Sequence, residues 1–153
     1  MEAKRLILTI LLGALALVLV ACGGGGAGPA AAVDLQQETQ TVAVGDAGSY
    51  TDVSVDGLAA LMEEAEDFPL VNVHVPYEGE IEGTDLFIPY DEIEQHLDQL
   101  PADKDARIIV YCRSGGMSAQ AARTLVQLGY GDVWNVDGGM IAWQKSGRTL
   151  LKQ

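Results

Sequence analysis

Cysteine, basic side chains and long apolar runs are all scarce in this sequence. Only Cys22 and Cys112 occur among 153 residues, far apart, so neither a disulfide-stapled scaffold nor a four-thiolate zinc site is available. Nine Lys and Arg stand against 22 Asp and Glu, a formal net charge of −13. Nucleic-acid binding needs clustered cations to displace phosphate counterions, and that class is excluded. Attraction of a folded surface to anionic lipid is excluded on the same ground. The acidic run Glu78, Glu80, Glu82 and Asp85 lacks the spacing of an EF-hand and reads as a solvated loop. No apolar stretch reaches the ~20 residues of a membrane-spanning helix. The length suits one ordinary domain with a sizeable core.

The longest apolar stretch lies at the start. Lys4 and Arg5 precede Leu6 to Ala21, sixteen residues that are apolar apart from Thr9. That length and flank suit a secretory h-region, with a slightly short transmembrane anchor as the competing reading. Leu19-Val20-Ala21-Cys22 decides between them, because it resembles the lipobox of bacterial lipoproteins. The resemblance implies cleavage before Cys22, lipidation of that cysteine, and an extracytoplasmic protein held to a bacterial membrane by its N-terminal lipid. Gly23 to Ala32 has no side chains able to pack a core and reads as a flexible tether. Val33 to Ser49 is polar and turn-rich, with weak alternation from Thr39 to Val44, and is expected to be mostly disordered. The expected organisation is a signal peptide at 1–21, a lipidated cysteine and tether at 22–49, and a folded domain at 50–153. Without Glu2, Lys4 and Arg5 the mature chain keeps 21 acidic and 7 basic groups, a charge of −14.

Past Tyr50 the pattern alternates between strand and helix. Tyr50 to Val53 is β-like, Ser54 is a plausible N-cap, and Leu58, Leu61, Met62 and Ala65 recur at helical spacing. Leu70 to Val75 is β-branched and mostly apolar, as in a strand covered on both faces. Leu86 to Pro89 reads as a short extended piece. Asp91 to Gln99 reads as a helix on the strength of Ile93 and Leu97 at i, i+4. Arg107 to Tyr111 is the clearest buried strand. Ser118 to Leu128 is a helix with Ala121, Ala122, Leu125 and Leu128 on one face. Asp132 to Val136 is another strand, and Met140 to Lys145 a short last helix. Alternation at this spacing predicts an α/β fold, a parallel central sheet with helices on both faces.

The chemistry falls between the best strand and the best helix. Cys112-Arg113-Ser114-Gly115-Gly116-Met117-Ser118 follows Tyr111 and leads into that helix. In an open α/β sheet, ligands bind outside the carboxyl ends of the strands, where this loop must lie. Successive N–H groups at a helix start, with the positive end of the helix dipole, favour an anion. They also favour a cysteine thiolate and lower its pKa from ~8.5. Gly115 and Gly116 allow the positive φ angles such a cradle needs. Arg113 adds a permanent cation, which either orients a donor or points outward to a nearby carboxylate. A Cys-x5-Arg phosphatase would need arginine where Ser118 stands, and a Cys-x-x-Cys oxidoreductase would need cysteine at Gly115. Trp134 and Trp143 read as core residues, and His96 as surface.

Tyr111 to Gly147 resembles the second half of a rhodanese (sulfurtransferase) domain. The Cys-Arg-Ser-Gly loop, the Ala-rich helix, the aromatic strand, and the Gly-Gly-x-x-x-Trp of Gly138, Gly139 and Trp143 carry the likeness. The first half departs from the family, with Asn72-Val73-His74 in place of Asp-Val-Arg. Gly79-Glu80-Ile81-Glu82-Gly83-Thr84 likewise replaces Gly-His-Ile-Pro-Gly-Ala. The resemblance implies a three-layer rhodanese-like fold, a monomer, and a cycle that needs no metal or other cofactor. In it Cys112 takes a sulfane sulfur from a small-molecule donor and passes it to a thiol or cyanide acceptor. Residues Arg113, Ser114, Gly115, Gly116, Met117 and Ser118 would hold donor and persulfide. Met117 stands where many thiosulfate-using members place a basic residue or a threonine, so a persulfide, polysulfide or protein-bound donor is comparably plausible. Asn72, His74 and Glu80 read as replacements that keep hydrogen bonds. Inactive rhodanese-like binding or sulfur-sensing modules are the alternative, although these usually lack the cysteine that is kept here.

Overall fold

The computed structural model describes residues 33–64 and 67–152. The signal segment, the lipobox with Cys22, the glycine-rich run and Ala65 lie outside the described residues. Six strands form one sheet: β1 (Thr39–Ala43), β2 (Ser49–Val53), β3 (Leu70–Asn72), β4 (Leu86–Phe87), β5 (Ile108–Tyr111) and β6 (Val133–Val136). Their spatial order is β1-β2-β6-β5-β3-β4. Only β1 runs antiparallel to its neighbour, and every other pair is parallel. Among the described residues the α-helices are α1 (Val55–Glu63), α2 (Gly116–Gln127) and α3 (Gly139–Lys145).

The period-2 geometry of a strand sorts the core into two halves. From β5, Ile108 and Val110 face a cluster with Ala121, Ala122 and Leu125 of α2. Ile109 and Tyr111 face the opposite cluster, with Leu58 and Leu61 of α1 and Met140 and Trp143 of α3. All four β5 residues are buried, which is why the strand reads as an unbroken apolar run. Sheet and flanking helices make three layers, the predicted α/β architecture. Among the described residues no helix is long and apolar enough to cross a membrane.

Two local expectations are corrected. The stretch read as disordered supplies β1, paired with β2 from Thr39↔Val53 to Ala43↔Ser49, so the sheet begins ahead of Tyr50. As a half-exposed edge strand β1 has little apolar signal of its own, and pairing with β2 orders it. The preceding turn packs as well: Ser54 caps α1 by accepting from the amides of Asp56 and Gly57 while its hydroxyl donates to Glu38. A Cβ on Gly57 would lie 2.9 Å from the Glu38 Cβ, so only glycine lets that segment cross the helix start. The expected helix over Asp91–Gln99 is instead two 3-10 turns, Ile93–Gln95 and Leu97–Gln99, linked by i to i−3 hydrogen bonds. The segment lies between Pro89 and Pro101 and still buries Ile93 and Leu100.

Candidate active site

Cys112 follows the last residue of β5, and its side chain is buried at 1% exposure on the α2 side of the sheet. Gly115 adopts φ 93°, the left-handed conformation that turns the chain into α2. Its amide donates to the Cys112 Sγ at 3.1 Å. The Ser118 hydroxyl lies 3.4 Å from Sγ and 3.1 Å from the Gly115 carbonyl oxygen. A hydroxyl has one proton to share between those acceptors, and a charged sulfur draws it more strongly. Burial pushes the Cys112 thiol up, but the Ser118 hydroxyl and the amides of Ser118, Ser114 and Gly115 outweigh it, holding its pKa below the ordinary thiol value. The cradle is made of amides and one hydroxyl, and no base is hydrogen-bonded to the sulfur among the described residues.

A second pair of glycines braces this loop from below. Gly138 and Gly139 carry positive φ angles of 69° and 52° at the start of α3. The amides of Met140 and Ile141 then donate to the carbonyl oxygens of Cys112 and Arg113, both at 2.9 Å. A Cβ on Gly139 would sit 2.1 Å from the Cys112 carbonyl oxygen, so no other residue permits that approach.

The remaining loop residues separate by role. Ser114 is exposed and contributes its amide. Gly116 corrects an expectation: it has no positive φ, opens α2 as an ordinary helical residue, and has open space around it. Met117 is half-buried and packs against the α2-side core, the cluster that also contains Cys112. Arg113 points outward, its Nε 3.2 Å from Glu78 Oε2. His74 is buried, but it faces Glu78 at 3.1 Å, and no bond links it to Cys112.

The acidic loop keeps Glu78, Glu82 and Asp85 exposed, as expected, but hydrogen bonds also tie it to the sheet. Asp85 accepts from the Leu70 amide at 2.8 Å, and Glu80 pairs main chain to main chain with Leu151. Asn72, fully buried, donates to the Gly79 carbonyl oxygen and accepts from the His74 amide. The Tyr111 hydroxyl accepts from the Ile81 amide and bonds Thr84, and burial pushes its pKa up to about 12. These bonds set residues 77–79 as a wall beside Arg113. Between wall, α3 and chain end lies a cleft of about 530 Å³. Sequence reasoning passed over Glu78, whose position depends on how this loop folds back.

The rhodanese-like domain family matches residues 54–146. The chain belongs to that family. This rhodanese-like chain is 36% identical over 103 residues to a sulfurtransferase of Allochromatium vinosum, covering 65% of this chain and 94% of that protein. It is 29% identical to the probable adenylyltransferase/sulfurtransferase MoeZ of Mycobacterium tuberculosis, over 74% of this chain but only 30% of that one. The rhodanese-like domain protein of Staphylococcus aureus superposes with a TM-score of 0.56 at 30% identity, over 67% of this chain and 98% of that structure.

Proposed function

We propose that this chain is a sulfurtransferase working through a Cys112 persulfide. The thiolate attacks the outer sulfur of a donor such as thiosulfate. A new S–S bond forms to Cys112, the donor's S–S bond breaks, and its electron pair leaves with sulfite. The persulfide carries the negative charge into the cradle of the Ser114, Gly115 and Ser118 amides, which are already aimed at sulfur. An acceptor thiolate or cyanide then attacks the outer sulfur, and the electron pair returns to Cys112 as thiolate. No proton need move at the sulfur, which suits a cysteine with no base hydrogen-bonded to it among the described residues. The observation that carries this reading is the buried sulfur held by main-chain amides with its pKa lowered. Thiosulfate, an organic persulfide and polysulfide are the donors in view. Cys112→Ser should abolish thiocyanate formation from donor and cyanide while the thermal midpoint stays put. Undiminished turnover in that variant would remove the mechanism.

The lipobox reading adds a location, with the domain tethered by Cys22 on the outer side of a bacterial membrane. It rests on Leu19-Val20-Ala21-Cys22 behind an apolar segment. Cys22→Ala should end fatty-acid labelling and membrane retention, and labelling that persists would count against the anchor. A binding or sensing module is the second reading, and the kept cysteine in its intact cradle favours the enzyme over it.

A further inference from the structure

Glu78 is placed between two nitrogens of opposite setting. One carboxylate oxygen, Oε2, lies 3.1 Å from Nε2 of buried His74 and 3.2 Å from Nε of Arg113. Facing a carboxylate, Nε2 is the ring nitrogen that bears the proton, and His74 Nδ1 has no hydrogen-bond partner among the described residues. His74 therefore holds Glu78 from the protein side, and Glu78 holds Arg113 from the cleft side. The Glu78 and Arg113 side chains are 42% and 58% exposed, and a pair so open to water contributes little to stability. Its effect falls instead on charged molecules that approach. Both side chains line the 530 Å³ cleft, with Lys152 further along its rim. Arg113 directly follows Cys112 in the chain, and Glu78 offsets the charge of that cation.

We propose that Glu78 is a specificity-determining residue that disfavours dianionic sulfur donors relative to singly charged ones. The inference rests on the sulfur-transfer reading and adds the donor's charge class. The cleft that Glu78 and Arg113 line is within the ~300–1,000 Å³ of sites that hold whole organic molecules. The matched probes are thiosulfate, a dianion, and methanethiosulfonate, a monoanion that delivers the same sulfane sulfur from an S–S bond and releases a sulfinate.

The test compares KM for the two donors in the full chain and in its Glu78→Gln variant, with cyanide as acceptor. Removing the carboxylate charge should shift the KM ratio about three- to fivefold toward thiosulfate, the scale of a partly exposed ion pair. The ratio should also climb more steeply with added salt in the variant, where an uncompensated Arg113 attracts the dianion. A ratio and salt slope equal to those of the parent, whatever happens to stability, would overturn the filter. Failure of both donors to load sulfur onto the parent protein would instead overturn the transfer reading and the filter with it.

Discussion

The loop at 112–118 and the wall at 73–85 flank the same site and are built on opposite principles. Around the sulfur, the groups that set the charge are main-chain amides and one buried hydroxyl, fixed by β5, α2 and the glycine pair below. Around the cleft they are side chains partly in water, Glu78 and Arg113, held by a folded-back loop. Amide positions are set by backbone conformation and survive most substitutions, whereas a charged pair changes with a single residue. In the proposed function, the loop therefore carries the reaction class and the charged pair the donor preference.

Gly139→Ala should break that comparison most severely. Its Cβ would collide with the Cys112 carbonyl oxygen at 2.1 Å, on a backbone with φ 52°. A loss of at least about 3 kcal/mol is expected, read as a lower denaturation midpoint, together with loss of transfer to every donor alike. Unchanged stability would show that the loop is not braced from α3.

Ser118→Ala comes next. It removes the hydroxyl beside the sulfur but leaves the amides, so the alkylation midpoint of Cys112 should rise. The parent's midpoint should lie below that of an ordinary cysteine thiol, because the folded-state pKa is depressed. The same depression gives a stability contribution that is complete above the unfolded thiol pKa and is lost as pH falls through the folded one. Equal midpoints in parent and variant would assign the whole effect to the amides.

Gly116→Ala is the smallest and sharpest. Beside the strained Gly115, Gly116 is helical and open to space, so alanine should leave transfer intact and stabilise by roughly 0.5 kcal/mol. A loss comparable to that of Gly115→Ala, where φ is 93°, would mean the two glycines share one role after all.

Much of the loop was legible because its signals are local. A continuous apolar strand, a cysteine and paired glycines before an alanine-rich helix fall within about twenty consecutive positions of the sequence. The wall was not, because its meaning depends on partners far along the chain. Glu78 reads as one more acid in a polar loop until β3 and β5 bring it to Arg113. Asn72 and His74 read as replacements that keep hydrogen bonds, but which bonds they make was hidden, since both are buried, one bonding the loop and the other Glu78. β1 was missed for a related reason, since an edge strand takes its order from pairing with β2 rather than from its own side chains.

The central claim is that Cys112 carries the transferred sulfur, and the intact mass of the purified protein after incubation with a sulfane-sulfur donor tests it most directly. A gain of one sulfur atom, removed by cyanide and absent from Cys112→Ser, is the predicted result. A gain that persists in the serine variant, or no gain from thiosulfate, methanethiosulfonate or polysulfide, would contradict it.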